Sequence, residues 1–259
     1  TGRMAQGDLA ARIALPAGAD SEVVSLASSI NLLAASLERS RAAERDFLLS
    51  VSHDLRTPLT SIRGYAEALA DGQAPDPTQA ASVILSEARR LERLVQDLLE
   101  LARLGARHFS LNVRPIDAAE VVGRAADGFR PAAERAGVTL TVHTDGPATV
   151  DADGDRLGQI VANLVENALK YAATRIDIRV RPGVEIVIED DGPGIAPDDA
   201  AHVFEPFFRS TRAPTREVGT GLGLAIVREL VEAMGGTVRA DGTRMAVAIP
   251  GRRAGRGAA

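Results

Sequence analysis

The sequence predicts a two-part molecule, a helical hairpin that forms a four-helix bundle as a dimer, followed by a two-layer α/β sandwich. Three observations carry this expectation. Two long helical stripes are joined by a short break; the chain changes after Gly105 to short β-like runs alternating with helical ones; and the composition, 45% hydrophobic and 25% charged over 259 residues, is that of an ordinary globular protein. That length allows one to three domains, each with its own core.

At the start, Val23, Leu26, Ile30, Leu33 and Leu37 repeat with spacings of three, four, three and four, the seam of a coiled coil. A turn-like stretch over residues 15–20, with Pro16 and Gly18, precedes it. With the Gly7-Asp8-Leu9 element and the acidic Glu22 that opens the second helix, residues 1–40 resemble the second half of a HAMP signalling linker. Any coiled-coil lead-in would explain this segment as well. A helical pattern then runs over 41–70, breaks at 71–77 and resumes over 78–104, where Ile84, Ala88, Leu91, Val95, Leu98 and Ala102 step by four and three. Two such stripes with a short connection make an antiparallel hairpin. One hairpin has too little core to stand alone, so a homodimer is expected.

Beyond it, β-like runs at 138–143, 176–180, 184–188 and 245–249 alternate with helical ones at 117–136, 155–172 and 222–234. This alternation predicts an α/β layer fold over 111–250. Residues 251–259, all Gly, Arg and Ala, are expected to be a disordered tail.

Composition excludes several function classes. A net charge of −5 gives no basic surplus to neutralise a phosphate backbone, so nucleic acid is not the expected partner. With no cysteine there is no disulfide framework, thiol nucleophile or Cys-ligated zinc. No apolar run reaches the roughly 18 residues of a membrane span, and Thr1-Gly2-Arg3 has neither an initiator Met nor a signal-peptide profile, so a soluble fragment of something longer is expected.

On the first long helix, Leu48, Val51, Leu55 and Ile62 lie on the side expected to face the bundle core. At about 100° per residue His53 lies roughly 200° from both Val51 and Leu55 and therefore points to solvent. Thr57 shares its face, Asp54 is its neighbour, and Pro58 should kink the helix one turn later. A neutral imidazole nitrogen can attack phosphorus, and an adjacent carboxylate can orient the ring and take its other proton. The segment Phe47-Leu-Leu-Ser-Val-Ser-His53-Asp54-Leu-Arg-Thr57-Pro58-Leu-Thr resembles the H-box of histidine kinases. The resemblance implies that His53 accepts phosphate, that Asp54 orients it, and that Thr57 positions a water for removing phosphate from the partner. His108, His143 and His202 show no metal-ligand or relay spacing.

On the helix from Asp155, Gln159, Asn163, Glu166, Asn167 and Lys170 form one polar stripe opposite Leu157, Ile160, Val161, Leu164 and Ala168. A solvated helix face explains such a stripe, but amides at i and i+4 with an ammonium at i+7 also suit a cluster of phosphate and Mg²⁺. Asn163-Leu-Val-Glu-Asn167-Ala-Leu-Lys170-Tyr171 resembles the N-box of the GHKL (Bergerat) ATP-binding fold, which implies Asn167 as the Mg²⁺ ligand and Lys170, the chain's only lysine, as a phosphate contact. In Val184-Glu-Ile-Val-Ile-Glu-Asp190-Asp191-Gly192-Pro-Gly194-Ile195, strand parity puts Asp190 with Ile186 and Ile188 on the buried side, where a carboxylate needs a donor. Asp-Gly and Pro-Gly also make plain turns. The resemblance to the family's G1 motif implies that the donor is the exocyclic amine of adenine.

Gly219-Thr-Gly221-Leu222-Gly223-Leu224 opens a helical run, where backbone amides can approach a triphosphate closely, although such glycine spacing also occurs in Rossmann, kinase and ordinary loops. Phe204-Glu-Pro-Phe207-Phe208-Arg209 resembles the F-box, with Arg209 implied at the terminal phosphate and the polar stretch to Val218 as a mobile lid; core packing explains the phenylalanines equally well. H, N, G1, F and G2 elements thus follow the family's order over residues 47–224, with a shortened end that reduces to one hairpin turning at Asp241-Gly242.

The chain is accordingly identified as resembling the cytoplasmic part of a membrane sensor histidine kinase. The resemblance implies ATP and Mg²⁺ as cofactors and a response regulator as partner. Any membrane attachment would lie upstream, as the HAMP-like start implies. Two rivals share the nucleotide site: a GHKL ATPase that does not phosphorylate itself, and a dimeric scaffold with a silent site. The second predicts a missing Asn167 or Asp190, and both are present.

Overall fold

The computed structural model describes residues 13, 20–105, 110–146, 148–208, 210 and 219–250. The expectations for Gly7-Asp8-Leu9, most of the 15–20 turn, His108, Arg209, the lid over 211–218 and the tail over 251–259 lie outside these residues. The chain divides into two compact units, residues 1–84 and 85–259.

In the first unit, α1 spans Ser21–Ala70 as one helix of 50 residues, with Glu22 in its first turn where the positive end of the helix favours a carboxylate. The coiled-coil seam and the H-box segment are therefore one continuous element, which passes through Pro58 while remaining helical. The side chain of Asn31 holds the backbone of Ile13 on both sides, accepting from its N–H at 2.8 Å and donating to its carbonyl at 3.1 Å. α1 stops at Asp71 and Gly72, the latter at φ +67°, a conformation that glycine adopts without strain. α2, Pro77–Gly105, which runs from the first unit into the second with residues 85–105 belonging to the second, restarts with proline in its first position, and the carboxylate of Asp76 accepts from the N–H of Gln79 at 3.0 Å. The chain thus makes the expected helical hairpin.

In the second unit, β1 (Arg114–Asp117) pairs antiparallel with β3 (Thr149–Ala152) in a small ribbon. The helical run expected over 117–136 is two helices, α3 (Ala118–Asp127) and α4 (Arg130–Ala136), parted at Gly128-Phe129. β2 (Thr139–Thr144), β4 (Arg175–Arg181), β5 (Glu185–Asp190), β6 (Thr237–Asp241) and β7 (Arg244–Ala248) form one sheet in the order β2-β4-β5-β7-β6. The pair β2-β4 is parallel and the remaining pairs antiparallel. α5 (Gly154–Tyr171) packs between α3 and α6 (Gly223–Ala233), so the helices form the second layer.

The period-two pattern of β4 explains the layering. Ile176, Ile178 and Val180 are fully buried, while Arg175, Arg179 and Arg181 lie on the other, exposed face. Opposite them stand Leu157, Ile160 and Leu164 of α5, at most 1% exposed. Burying each such side chain contributes roughly 1.5–3 kcal/mol. Asp153, the buried carboxylate of this core, caps α5: one oxygen accepts from the N–H groups of Asp155 and Arg156, the other from Asn112 at 2.9 Å. This cap sets the start of the helix that carries the polar stripe.

Candidate active site

His53 lies in the middle of α1 with 79% of its side chain exposed, as the helical phase predicts. Asp54 is nearly buried at 14% and holds its Oδ1 3.6 Å from Nδ1 of the imidazole. A carboxylate on that side favours the tautomer that carries its proton on Nδ1 and leaves Nε2 as the open, nucleophilic nitrogen. Thr57 is exposed one turn on, and its hydroxyl donates to the carbonyl of His53 at 3.2 Å, within the helix.

The second site is a cavity of about 450 Å³ in the α/β unit. Its polar side is the stripe of α5, with Asn163, Glu166, Asn167, Lys170 and Tyr171 all lining it. Gln159, expected in the same stripe, is instead held by Arg156 at 2.9 Å and lies outside the lining. Lys170 pairs with Glu166 at 2.9 Å. From β5 and the loop after it come Asp190, Gly194 and Ile195; from the loop before α6 come Gly219 and Gly221, and from the first residue of α6 Gly223.

Asp190 is half-buried rather than fully buried, and one of its donors is internal: the N–H of Gly192 reaches Oδ1 at 2.8 Å. Burial still pushes its carboxyl above the ordinary range, more than that hydrogen bond pulls it down. Asp191 does a different job. Its carboxylate accepts from the N–H groups of Ala173, Thr174 and Arg175 and from the Thr174 hydroxyl at 2.6 Å, which holds it well below the usual carboxylate range. It ties the turn after α5 and the start of β4 to the end of β5, which bears Asp190. Gly192 stands between them, where an added Cβ would lie 2.6 Å from the carbonyl oxygen of Tyr171 and 2.7 Å from Oδ1 of Asp190. Its role is to allow this approach, and it is not part of the lining.

The loop before α6 is fitted to α5. A Cβ on Gly219 would stand 3.0 Å from Nζ of Lys170, and one on Gly223 3.4 Å from the amide oxygen of Asn163. Gly221, at φ +74°, accepts from the N–H of Phe207 at 2.8 Å, and a Cβ there would lie 2.9 Å from the Cα of Phe207. The F-box segment and the glycine loop therefore touch backbone to backbone. Leu222, expected as a ligand contact, is fully buried in the core and does not line the cavity.

The donor set fits Mg²⁺, a hard cation that keeps several waters and takes one or two protein oxygens beside phosphate. Asn163 and Asn167, which carry amide oxygens, line one cavity, and among the described residues no group of three or more His, Asp or Glu side chains forms an all-protein metal cage. His143 and His202 are placed on the surface, facing Asp177 at 3.9 Å and Glu205 at 2.9 Å. Residues missed by sequence reasoning also line the cavity: Arg90, Arg93 and Asp97 of α2, Thr220, and Thr243 and Met245 of the last hairpin. Thr220 sits inside the glycine motif, but no local motif announces the others, because their membership depends on long-range packing.

Residues 43–107 match the family described as His Kinase A (phospho-acceptor) domain, and residues 152–253 match that described as Histidine kinase-, DNA gyrase B-, and HSP90-like ATPase. The signal transduction histidine-protein kinase BaeS of Escherichia coli is 33% identical over 244 residues, 92% of this chain and 52% of the relative. The chain spans about half the length of the curated relatives it matches. Among solved structures, the Acinetobacter baumannii histidine kinase AdeS is 27% identical with a TM-score of 0.64, over 78% of this chain and 98% of that one. Full-length ShkA in complex with AMPPNP is 33% identical with a TM-score of 0.59, over 79% of this chain and 45% of that one. With a phospho-acceptor region around His53 and an ATPase region around the cavity, the chain belongs to the sensor histidine kinases.

Proposed function

We propose that this chain transfers the γ-phosphoryl group of ATP to its own His53 and passes it on to an aspartate of a response regulator. The observation that carries the reading is His53 itself, exposed on a helix with Asp54 at Nδ1, in a chain that also folds a nucleotide-sized cavity. In the transfer, Nε2 attacks the γ-phosphorus, the N–P bond forms as the bond to the β,γ-bridging oxygen breaks, ADP leaves, and Asp54 stabilises the charge developing on the ring. The half-buried carboxylate of Asp190 is the candidate acceptor for the adenine amine, and Lys170 the candidate cation for the phosphates. Asn167, aided by Asn163, would hold Mg²⁺, which when bound would neutralise phosphate charge and orient the terminal group. AMPPNP in the related ShkA, a triphosphate analogue by its chemistry, agrees with a triphosphate ligand here.

Three finer assignments belong to the same reading. Thr57, exposed one turn from His53, is the candidate for positioning a water that removes phosphate from the partner. Homodimerisation is supported by the apolar side chains that α1 and α2 leave exposed, among them Leu26, Leu33, Leu48 and Leu99 at 53–70%. The HAMP-like start supports a place on the cytoplasmic side of a membrane sensor. No helix among the described residues is long and apolar enough to cross a membrane.

Incubation with γ-labelled ATP and Mg²⁺ tests the proposal. Acid-labile label is expected on the unmodified chain and none on His53→Gln, with ATP binding by the variant unchanged. Label that persists on the variant would remove His53 from the mechanism; binding without label on either would favour the scaffold.

A further inference from the structure

The cavity has a wall that no nucleotide-binding motif supplies. Asp97, on α2, extends a half-buried carboxylate into it and accepts a hydrogen bond from the Thr220 hydroxyl at 2.8 Å. The same Thr220 oxygen accepts from the N–H of Leu222 at 3.3 Å, at the N-terminus of α6. Asp97 also lies within electrostatic reach of Lys170, and Arg93 faces it from its own helix. A loop hydroxyl, a helix N-terminus and a lysine ammonium are the groups that a phosphate oxygen would use. Here a carboxylate takes the hydroxyl and lies within electrostatic reach of the ammonium.

Charge makes that occupation exclusive. Glu166 already pairs with Lys170 at 2.9 Å, so Asp97 is a second carboxylate within electrostatic reach of an ammonium that has a partner. Burial pushes the Asp97 carboxyl upward, and Glu166 adds to the push, which marks the strain of holding this anion there. A triphosphate entering beside it would bring further negative charge next to this half-buried carboxylate. A second contact keeps the helix in place: three residues on, Glu100 of α2 pairs with Arg156 of α5 at 2.6 Å. Positions 97 and 100 lie on one face of α2, so the two contacts clamp it together.

We propose that Asp97 is a built-in competitor for the phosphate end of the nucleotide site, so that phosphates and the docked α2 helix exclude each other. ATP binding then displaces the carboxylate, frees Thr220 and loosens α2 from the nucleotide-binding layer; loss of the nucleotide lets the carboxylate return. The inference rests on reading the cavity as a nucleotide site, and its distinctive consequence is selectivity by charge. Ligands with phosphates compete with Asp97, and adenosine does not.

Calorimetric titration of the full chain with MgATP and with adenosine, on the unmodified protein, Asp97→Asn and Asp97→Ala, separates these cases, with thermal melts confirming that both variants fold. Both variants are expected to bind MgATP about ten-fold more tightly, the scale of one partly screened charge, with adenosine affinity unchanged within about two-fold. Amide exchange over residues 93–101 of the unmodified chain should rise when MgATP is added and stay level with adenosine. Equal changes for both ligands, weaker MgATP binding by the variants, or no change in exchange would each overturn the proposal. Asp190→Asn distinguishes the two readings: it should lose adenosine binding as well. If the unmodified chain binds neither ligand, the nucleotide reading fails and this inference with it.

Discussion

The α/β unit and the long helices solve the problem of apolar surface in opposite ways. The sheet and its helices close a core of their own, with Leu157, Ile160, Ile176, Ile178 and Leu230 fully buried. α1, a helix of 50 residues, buries among its described residues small ones, Ala27 and Ala34, in its first half, while Leu26 and Leu33 of the coiled-coil seam stay 63% and 70% exposed. A region with a finished core should owe its stability to that core, whereas one that leaves its seam open should owe stability to what covers the seam. The two should therefore answer differently to mutation and to protein concentration.

The largest expected effect is in the closed core. Leu164, 1% exposed on α5 beneath the cavity residues Asn163 and Asn167, packs toward the sheet. Leu164→Ala should destabilise the α/β transition by about 2–5 kcal/mol, from lost transfer energy plus a cavity. Calorimetry should show the same loss at every protein concentration. A loss that disappears at high concentration would mean that this core, too, is completed by a second chain.

A smaller effect of a different kind is expected on the seam. Leu33→Glu puts a charge at a coiled-coil position in each chain, and should weaken self-association at least about ten-fold by sedimentation equilibrium. The α/β melting transition should stay where it is. If the substitution leaves association unchanged, the seam is not a contact between copies and the comparison between the two regions breaks.

The same contrast explains what could be read from the sequence. Layer order, the polar stripe of α5 and the solvent-facing His53 follow from periodicity, because each depends on neighbours within two turns or along one strand. The β1-β3 ribbon escaped because Arg-Pro-Ile-Asp is too short to show alternation, and its partner strand begins 32 residues after it ends. The division of the run over 117–136 was missed because Gly128 and Phe129 give a weak stop without a proline between them. Asp97 was invisible for the reason that makes it informative: its partner Thr220 lies 123 residues away, and on α2 alone it is one more polar residue of an amphipathic helix.

Within the α/β unit, the paired aspartates after β5 sharpen the comparison at the smallest scale, since core and surface forces act on adjacent residues. Burial raises the carboxyl of Asp190, whereas hydrogen bonds from Thr174, Arg175 and Ala173 lower that of Asp191. A carboxyl whose folded pKa is depressed contributes stability above its unfolded pKa, near 4, and loses that contribution as pH falls toward the folded value. Asp191→Asn keeps the shape but removes the charge, and because the group is only partly buried and screened by solvent the effect is discounted to roughly 2–4 °C in melting temperature at pH 7. The difference between unmodified chain and variant should shrink steadily as the melt is repeated from pH 5 downward. A difference that stays constant with pH would mean that Asp191 acts through geometry alone, and that the end of β5 carrying Asp190 is pinned by hydrogen bonds an amide can replace.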